Sequence, residues 1–240
     1  LGFRQFSHHF TRIRDALDEG DEARARELLA QWQQVDASAL PRSEIVRHVI
    51  EYSVLAAHRH VFGVLAWYSV LAAFGLGPAG AVFYRLSEFA ARYWSSRNRD
   101  EHQPLSPALE QAARQAWTFA DWLPARLTAL SFAVVGSFEE AIDGWRYHAE
   151  RFPNDNDGVI LAATAGAVNV RLGGSALKAA AARPGTLEGL QMAADMGSGG
   201  STPGRTPELA HLAQVVGLVW RSVVVWMVLL ALLTLARLLG

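Results

Sequence analysis

The sequence predicts an all-α, polytopic integral membrane protein with helical soluble segments between its spans. Three observations predict it. Hydrophobic residues fill 51% of the 240 positions and charged residues only 19%, below the roughly 25% charged of an average soluble domain. Val61–Phe83 carries no formal charge over 23 residues. Val223–Ala236 is a second uncharged run, Val-Val-Val-Trp-Met-Val-Leu-Leu-Ala-Leu-Leu-Thr-Leu-Ala. Mean hydropathy is +0.11. A chain this rich in large apolar residues is not disordered. Basic and acidic residues number 22 and 23, a net charge of −1, so the basic excess of a nucleic-acid binder is missing and no nucleic-acid partner is expected. Without cysteine there is no disulfide framework, thiolate zinc site, iron–sulfur cluster or cysteine nucleophile. Lys178 is the single lysine, so any clamp for phosphate or carboxylate relies mainly on guanidinium.

Four regions follow from the pattern: a soluble helical segment over 1–60, a membrane core over 61–174, a helical, Gly/Ser-rich connector over 175–213, and a carboxy-terminal transmembrane helix over 214–240. The chain opens Leu1-Gly2-Phe3 with no basic stretch and apolar core behind it, so no signal peptide is read there, and a preceding amino-terminal part is expected. Phe3, Phe6, Phe10, Ile13 and Leu17 form one helical stripe. Asp18-Glu19-Gly20-Asp21 turns the chain, and Asp21 is placed to cap a second helix that faces Ala25, Leu28, Leu29 and Trp32 inward. Pro41-Arg42-Ser43-Glu44 opens a third, with Ser43 as N-cap. Val61–Phe83, about 34 Å long as a helix, is long enough to cross a ~30 Å hydrocarbon core. Gly75, Gly77, Pro78 and Gly80 interrupt it, so it reads as a kinked span, a span with a re-entrant turn, or a buried hairpin. Leu86–Gln103 is polar again, with Tyr93 and Trp94 suited to a membrane interface.

Pro124 fits a first helical turn leading into Leu127–Gly136. Counted back to Ala116, that stretch carries Asp121 and Arg126, which are costly at depth unless paired or wet; it reads as partly inserted or buried among helices. Ser137–Arg151 is amphipathic, with Phe138, Ile142 and Trp145 on one side. Phe152–Gly158 is a turn. Gly158–Val170 is apolar and built of small residues that permit close helix approach. Gly197–Gly204 reads as a mobile connector. In Val215–Ala236 the single charge is Arg221, which can snorkel. Arginines flank every candidate span on both sides, so orientation stays open.

Several groups are candidates for chemistry. His58 and His60 do not share a helix face, which is poor spacing for a metal chelate; they read as an anion-binding group at the membrane surface or as an interfacial polar cluster. Arg126 is either a phosphate contact or the partner of Asp121. Asn154-Asp155-Asn156-Asp157-Gly158 offers oxygen ligands for a hard cation, but an Asx-rich turn capping the next helix is favoured. Arg171 precedes Gly173-Gly174, a pair suited to a helix C-cap or to a ligand approaching backbone. No P-loop, nucleophile elbow or dinucleotide fingerprint is present.

Three stretches resemble the CobD/CbiB family, membrane proteins similar to adenosylcobinamide-phosphate synthase. They are Gly77-Pro78-Ala79-Gly80-Ala81-Val82-Phe83-Tyr84-Arg85-Leu86; Asp121-Trp122-Leu123-Pro124-Ala125-Arg126-Leu127-Thr128-Ala129-Leu130; and Asn156-Asp157-Gly158 through Ala165-Gly166-Ala167-Val168-Asn169-Val170-Arg171-Leu172-Gly173-Gly174. The resemblance implies a multi-pass protein of the bacterial inner membrane, working in cobalamin (vitamin B12) assembly. It implies ATP-dependent formation of an amide between a corrinoid carboxylate and an aminopropanol unit, with ATP and Mg²⁺ as cofactors. Arg126, Asn156, Arg171, His58 and His60 are then the expected substrate-binding residues for the corrinoid, and Asp157 the candidate metal ligand. Two departures stand out. The synthases carry Glu-Asn-x-x-Asp-Gly where this chain reads Ala56-Ala57-His58-Arg59-His60-Val61-Phe62-Gly63, and an acidic residue where it has Leu161. Lost carboxylates weaken the expectation of a Mg²⁺–phosphate site. The Asp-Trp-x-Pro-x-Arg spacing also resembles AmpE, an inner-membrane protein linked to regulation. That resemblance implies the alternative, a non-catalytic sensor in which His58 and His60 report pH or ligand.

Overall fold

The computed structural model describes residues 3–33, 36–100, 107–174 and 200–239. The expectations placed on 175–199, including Lys178 and the first part of the Gly/Ser-rich connector, lie outside the described residues. The described chain is helical: α1 (Phe3–Asp18), α2 (Glu22–Gln33), α3 (Arg42–Ala57), a π-helical segment (His58–Phe62), α4 (Gly63–Ala73), α5 (Ala79–Asp100), α6 (Pro107–Val135), α7 (Phe138–His148), a 3₁₀ turn (Ala149–Arg151), α8 (Asp155–Val168) and α9 (Leu209–Leu239). Its β contacts, among the described residues, are two isolated bridges, Val170 with Arg205 and Gly173 with Ser201.

The amino-terminal helices pack as their periodicity predicts. Ile13, Ala16 and Leu17 of α1 are buried with Ala25, Leu28 and Leu29 of α2. Asp21 caps α2, accepting from the Arg24 N–H at 3.0 Å. α3 adds Ile45, Val46, Val49, Ile50 and Val54 to the same core, which continues into α6, α8 and α9. Ser43 is not its cap. The helix starts one residue earlier, and the Pro41 carbonyl takes the Glu44 and Ile45 N–H groups, so Ser43 falls in the first turn.

α3, the π segment and α4 form one unbroken path, Arg42–Ala73, that is long and apolar enough to cross a membrane. The uncharged stretch Val61–Phe83 is therefore not one straight span. It reverses over Phe74–Pro78, where Gly75 and Gly77 take positive φ angles of 80° and 44° that glycine adopts without strain. The limbs of this hairpin touch backbone to backbone. A Cβ on Gly80 would lie 2.0 Å from the Trp67 carbonyl oxygen, and one on Gly63 would run into the Tyr84 ring.

Pro124 sits deep inside α6 rather than in its first turn. A proline there leaves the carbonyl four residues back without its helical donor. That carbonyl, Ala120, instead accepts the Trp67 indole N–H at 2.7 Å. α7 and α8 meet through glycine: a Cβ on Gly144 would strike the Ala162 carbonyl and one on Gly166 the Glu140 carbonyl. The inward face of α7 is thus Ala141 and Gly144, with Ile142 and Trp145 packed beside it. Phe138, expected inside, is exposed, because a backbone-to-backbone contact has no room for a large ring. α8 is enclosed, with ten buried residues between Asn156 and Ala167.

α9 is the second helix that could cross a membrane, over Leu209–Ala236. Its first half docks on the body through Leu212, Val215, Leu218, Ser222 and Trp226, and the Trp226 indole donates to Ser131 Oγ at 2.9 Å. Beyond Trp226, Met227, Val228, Leu229, Leu232, Leu235, Leu238 and Leu239 are all exposed. The stretch before α9 is tied down: Thr202 N–H donates to the Leu172 carbonyl at 2.7 Å, and Arg171 N–H to that of Arg205 at 2.8 Å. Residues 200–206 are thus anchored on the end of α8, although their composition suggested a loose connector.

Candidate functional site: a polar layer at the π-helical segment

A π-helix widens the turn by one residue, a distortion frequent at functional sites. Here it sends three consecutive side chains to three different helices. His58 turns toward α6, where Nδ1 lies 2.9 Å from Thr128 Oγ1 and Nε2 lies 2.9 Å from Asp121 Oδ1. Asp121 and Thr128 are seven residues apart, two helical turns, so they share a face and grip one imidazole between them. The Tyr84 hydroxyl of α5 donates to Asp121 Oδ1 at 2.7 Å. His58 and Thr128 are 0% exposed and Asp121 1%. One arrangement satisfies every group: Nε2–H donates to the carboxylate and Nδ1 accepts from the threonine hydroxyl. The chain aspartate–histidine–hydroxyl is buried inside the helices, so it ties α5, α6 and the π segment together.

Arg59 turns toward α8. Its Nη2 donates to Asp157 Oδ1 at 3.1 Å and Oδ2 at 2.9 Å, while its buried Nε has no acceptor. His60 turns toward α5, with Nδ1 2.9 Å from Arg85 Nη1. Arg85 also donates to the buried Glu88 carboxylate.

Arg126 and Asn156 meet. Arg126 Nη1 donates to Asn156 Oδ1 at 3.1 Å and to the Trp122 carbonyl at 2.9 Å, and its guanidinium lies 4.1 Å over the Trp122 ring, a cation–π distance. Asn156 is buried and donates through Nδ2 to the Thr118 carbonyl at 3.0 Å. One amide thus fastens the first turn of α8 to α6. Arg126 does not pair with Asp121, whose partners are His58 and Tyr84. The Asn154 side chain caps α8, accepting from Asn156 N–H at 3.2 Å, as the Asx-rich turn predicts.

Arg171 lies elsewhere. It is exposed, and its Nη2 reaches Thr206 Oγ1 at 3.3 Å, beside the anchored segment 200–206; no described contact joins it to Arg126 or Asn156. Gly173-Gly174 does not cap α8. Asn169 does, in the left-handed region at φ 51°, a conformation asparagine tolerates. Gly173 takes φ 79° so that its N–H reaches Glu51 Oε1 at 2.8 Å. Glu51 is itself held by Arg47. Gly173 therefore locks the α8 exit onto α3.

Of the residues expected at the site, His60, Arg126, Asn156 and Asp157 border this layer, His58 is its sealed centre, and Arg171 is apart. Tyr84, Glu88 and Thr128 went unread as site residues. Tyr84 and Thr128 do stand inside two of the quoted motifs, and that position was the available signal. No group of three or more His, Asp or Glu among the described residues is arranged to hold a metal ion. Asp157, the candidate ligand, gives both oxygens to Arg59, so the Mg²⁺ implied by the resemblance does not fit these residues.

The family model described as CobD/Cbib protein matches residues 1–194. A cobalamin biosynthesis protein CobD of Stutzerimonas stutzeri is 30% identical over 232 residues, covering 96% of this chain and 68% of that protein. One of Chromobacterium violaceum is 32% identical over 182 residues, covering 73% of this chain and 53% of that protein. No solved structure matches. With its family model matched over most of its length, and the three motifs converging on one helical body, the chain belongs to the CobD/CbiB family.

Proposed function

We propose that the protein works in cobalamin biosynthesis as a multi-pass protein of the bacterial inner membrane, holding a carboxylate or phosphate of a corrinoid at the Arg126–Asn156 pair. The observation that carries this reading is the hydrogen bond from Arg126 to Asn156. It joins the two most specific motifs of the chain and leaves Arg126 Nε and Nη2 for an anion. A guanidinium is suited to that task because its planar donors match the oxygens of a carboxylate or phosphate. In the catalytic form of the reading, the protein is a ligase resembling adenosylcobinamide-phosphate synthase, and Arg126 orients the corrinoid carboxylate while an aminopropanol unit is joined to it as an amide. ATP, when bound, would supply the phosphoryl group that carries off the oxygen the carboxylate loses. Membrane placement is supported by the two long apolar helices and by the exposed far half of α9.

A second, non-catalytic reading, an AmpE-like regulatory protein, is favoured by one observation: Asp121, Glu88 and Asp157 of the polar layer are committed to partners within the chain. Complementation of a synthase-deficient strain separates the two. Rescue by the full-length protein, lost in Arg126→Ala at equal membrane abundance, supports the ligase. Absence of rescue at normal membrane abundance sinks it and leaves the regulator.

A further inference from the structure

We propose that the polar layer binds its anionic ligand as the bare anion, with Arg59 standing on Asp157 where a divalent cation would have to bind. This rests on the reading of the layer as a ligand site. Three carboxylates of the layer each have a hydrogen-bonded partner from the chain itself. Asp121 is taken by His58 and Tyr84, Glu88 by Arg85 and Asp157 by Arg59. A fourth, Asp155, stands on the exposed first turn of α8, outside the buried layer. A Mg²⁺ ion needs open carboxylate oxygens beside the phosphates it bridges. To find them at Asp157 it would have to expel a guanidinium and sit against its positive charge.

The donors left over have the opposite character. Arg59 Nε is buried with no acceptor. Arg126 spends Nη1 on Asn156 and Trp122, and its Nε and Nη2 make no hydrogen bond among the described residues. Asn156 and Asp157 are neighbours in sequence, so the two arginines are anchored on adjacent residues of one helical turn. Guanidinium donors pair directly with phosphate or carboxylate oxygens, in charge-assisted bonds about twice as strong as neutral ones. Arg59 thus supplies from within the protein the positive charge that a metal would bring.

The test uses the purified full-length protein in detergent and ATP as the polyanion probe, titrated by calorimetry in EDTA and in excess Mg²⁺. Binding in EDTA is expected to be as tight as in Mg²⁺ or tighter. Arg126→Gln, at a half-buried position, should weaken it about tenfold, the loss of roughly one charge-assisted contact. Asp157→Asn is the sharper variant, because it frees Arg59. Binding in EDTA should then tighten about threefold or more, a gain that misfolding cannot mimic. Binding that is tenfold tighter with Mg²⁺, or lost in Asp157→Asn, overturns the inference while leaving the ligand site standing. No binding of ATP under either condition, with the protein folded by circular dichroism, overturns both.

Discussion

α8 and the far half of α9 are both apolar helices, and they meet opposite surroundings. α8 is enclosed by α6, α7 and α3, with Gly158, Ala162 and Gly166 letting neighbouring backbone come within contact. The thirteen residues Met227–Leu239 project from the body with leucine, valine and methionine exposed all round. Side-chain size, rather than hydrophobicity, sorts the two. Small residues suit a fixed partner that fits at one distance. Long side chains suit a fluid one, and an exposed apolar surface of this extent marks a face that something else covers. The body is therefore a jigsaw that tolerates little change, whereas the far half of α9 asks only for apolar surroundings.

The largest expected effect breaks the body at its polar centre. His58→Ala leaves the buried Asp121 with Tyr84 as its remaining donor and Thr128 without its imidazole, and should cost about 3 kcal/mol or more, read as chemical unfolding of the detergent-solubilised protein. Stability within error of the parent would mean that the network does not hold the helices. Next is Gly166→Ala, which drives a methyl into the Glu140 carbonyl and should cost about 1–3 kcal/mol. Set beside it, Leu232→Ser in the far half of α9 should leave body stability in detergent within about 0.5 kcal/mol. Equal losses for these two would erase the distinction between the regions. The smallest effect is at the α7 start, where the Ser137 hydroxyl donates to the exposed Glu140 carboxylate and holds it below the usual carboxylate range. The bond favours the folded state above the ordinary glutamate pKa and is lost as pH falls through the lowered one. Ser137→Ala should move the Glu140 titration upward by NMR and flatten the acid limb of stability.

Much of this was legible in sequence because helices announce themselves locally. The α1–α2 stripe, the Asp21 and Asn154 caps and the apolar α9 each depend on residues within a few positions of one another. Arg126 and Asn156 were each legible as ligand candidates through the motifs around them, but Asp121 looked like the partner of Arg126, and Asn156 proved to be it. What escaped notice depends on distance along the chain. His58 and Asp121 are 63 positions apart, and nothing about either residue alone distinguishes a sealed hydrogen bond from a surface cluster. Pro124 looked like the start of a helix because its missing donor is compensated from Trp67, on another helix altogether. Phe138 looked like core because periodicity records which residues share a face, not how near the neighbouring helix comes. Gly173-Gly174 looked like a stop signal, yet Gly173 reaches Glu51 across 122 positions.

The widened turn at His58–Phe62 also sets the phase of everything after it. An α-helix advances about 100° per residue, so removing one residue there would regularise the backbone and swing α4 by about that angle. Trp67 would leave the Ala120 carbonyl, Gly63 would leave the Tyr84 ring, and the hairpin would face the wrong neighbours. Lineages that keep this packing should therefore tolerate substitutions in the segment far more readily than a change in its length.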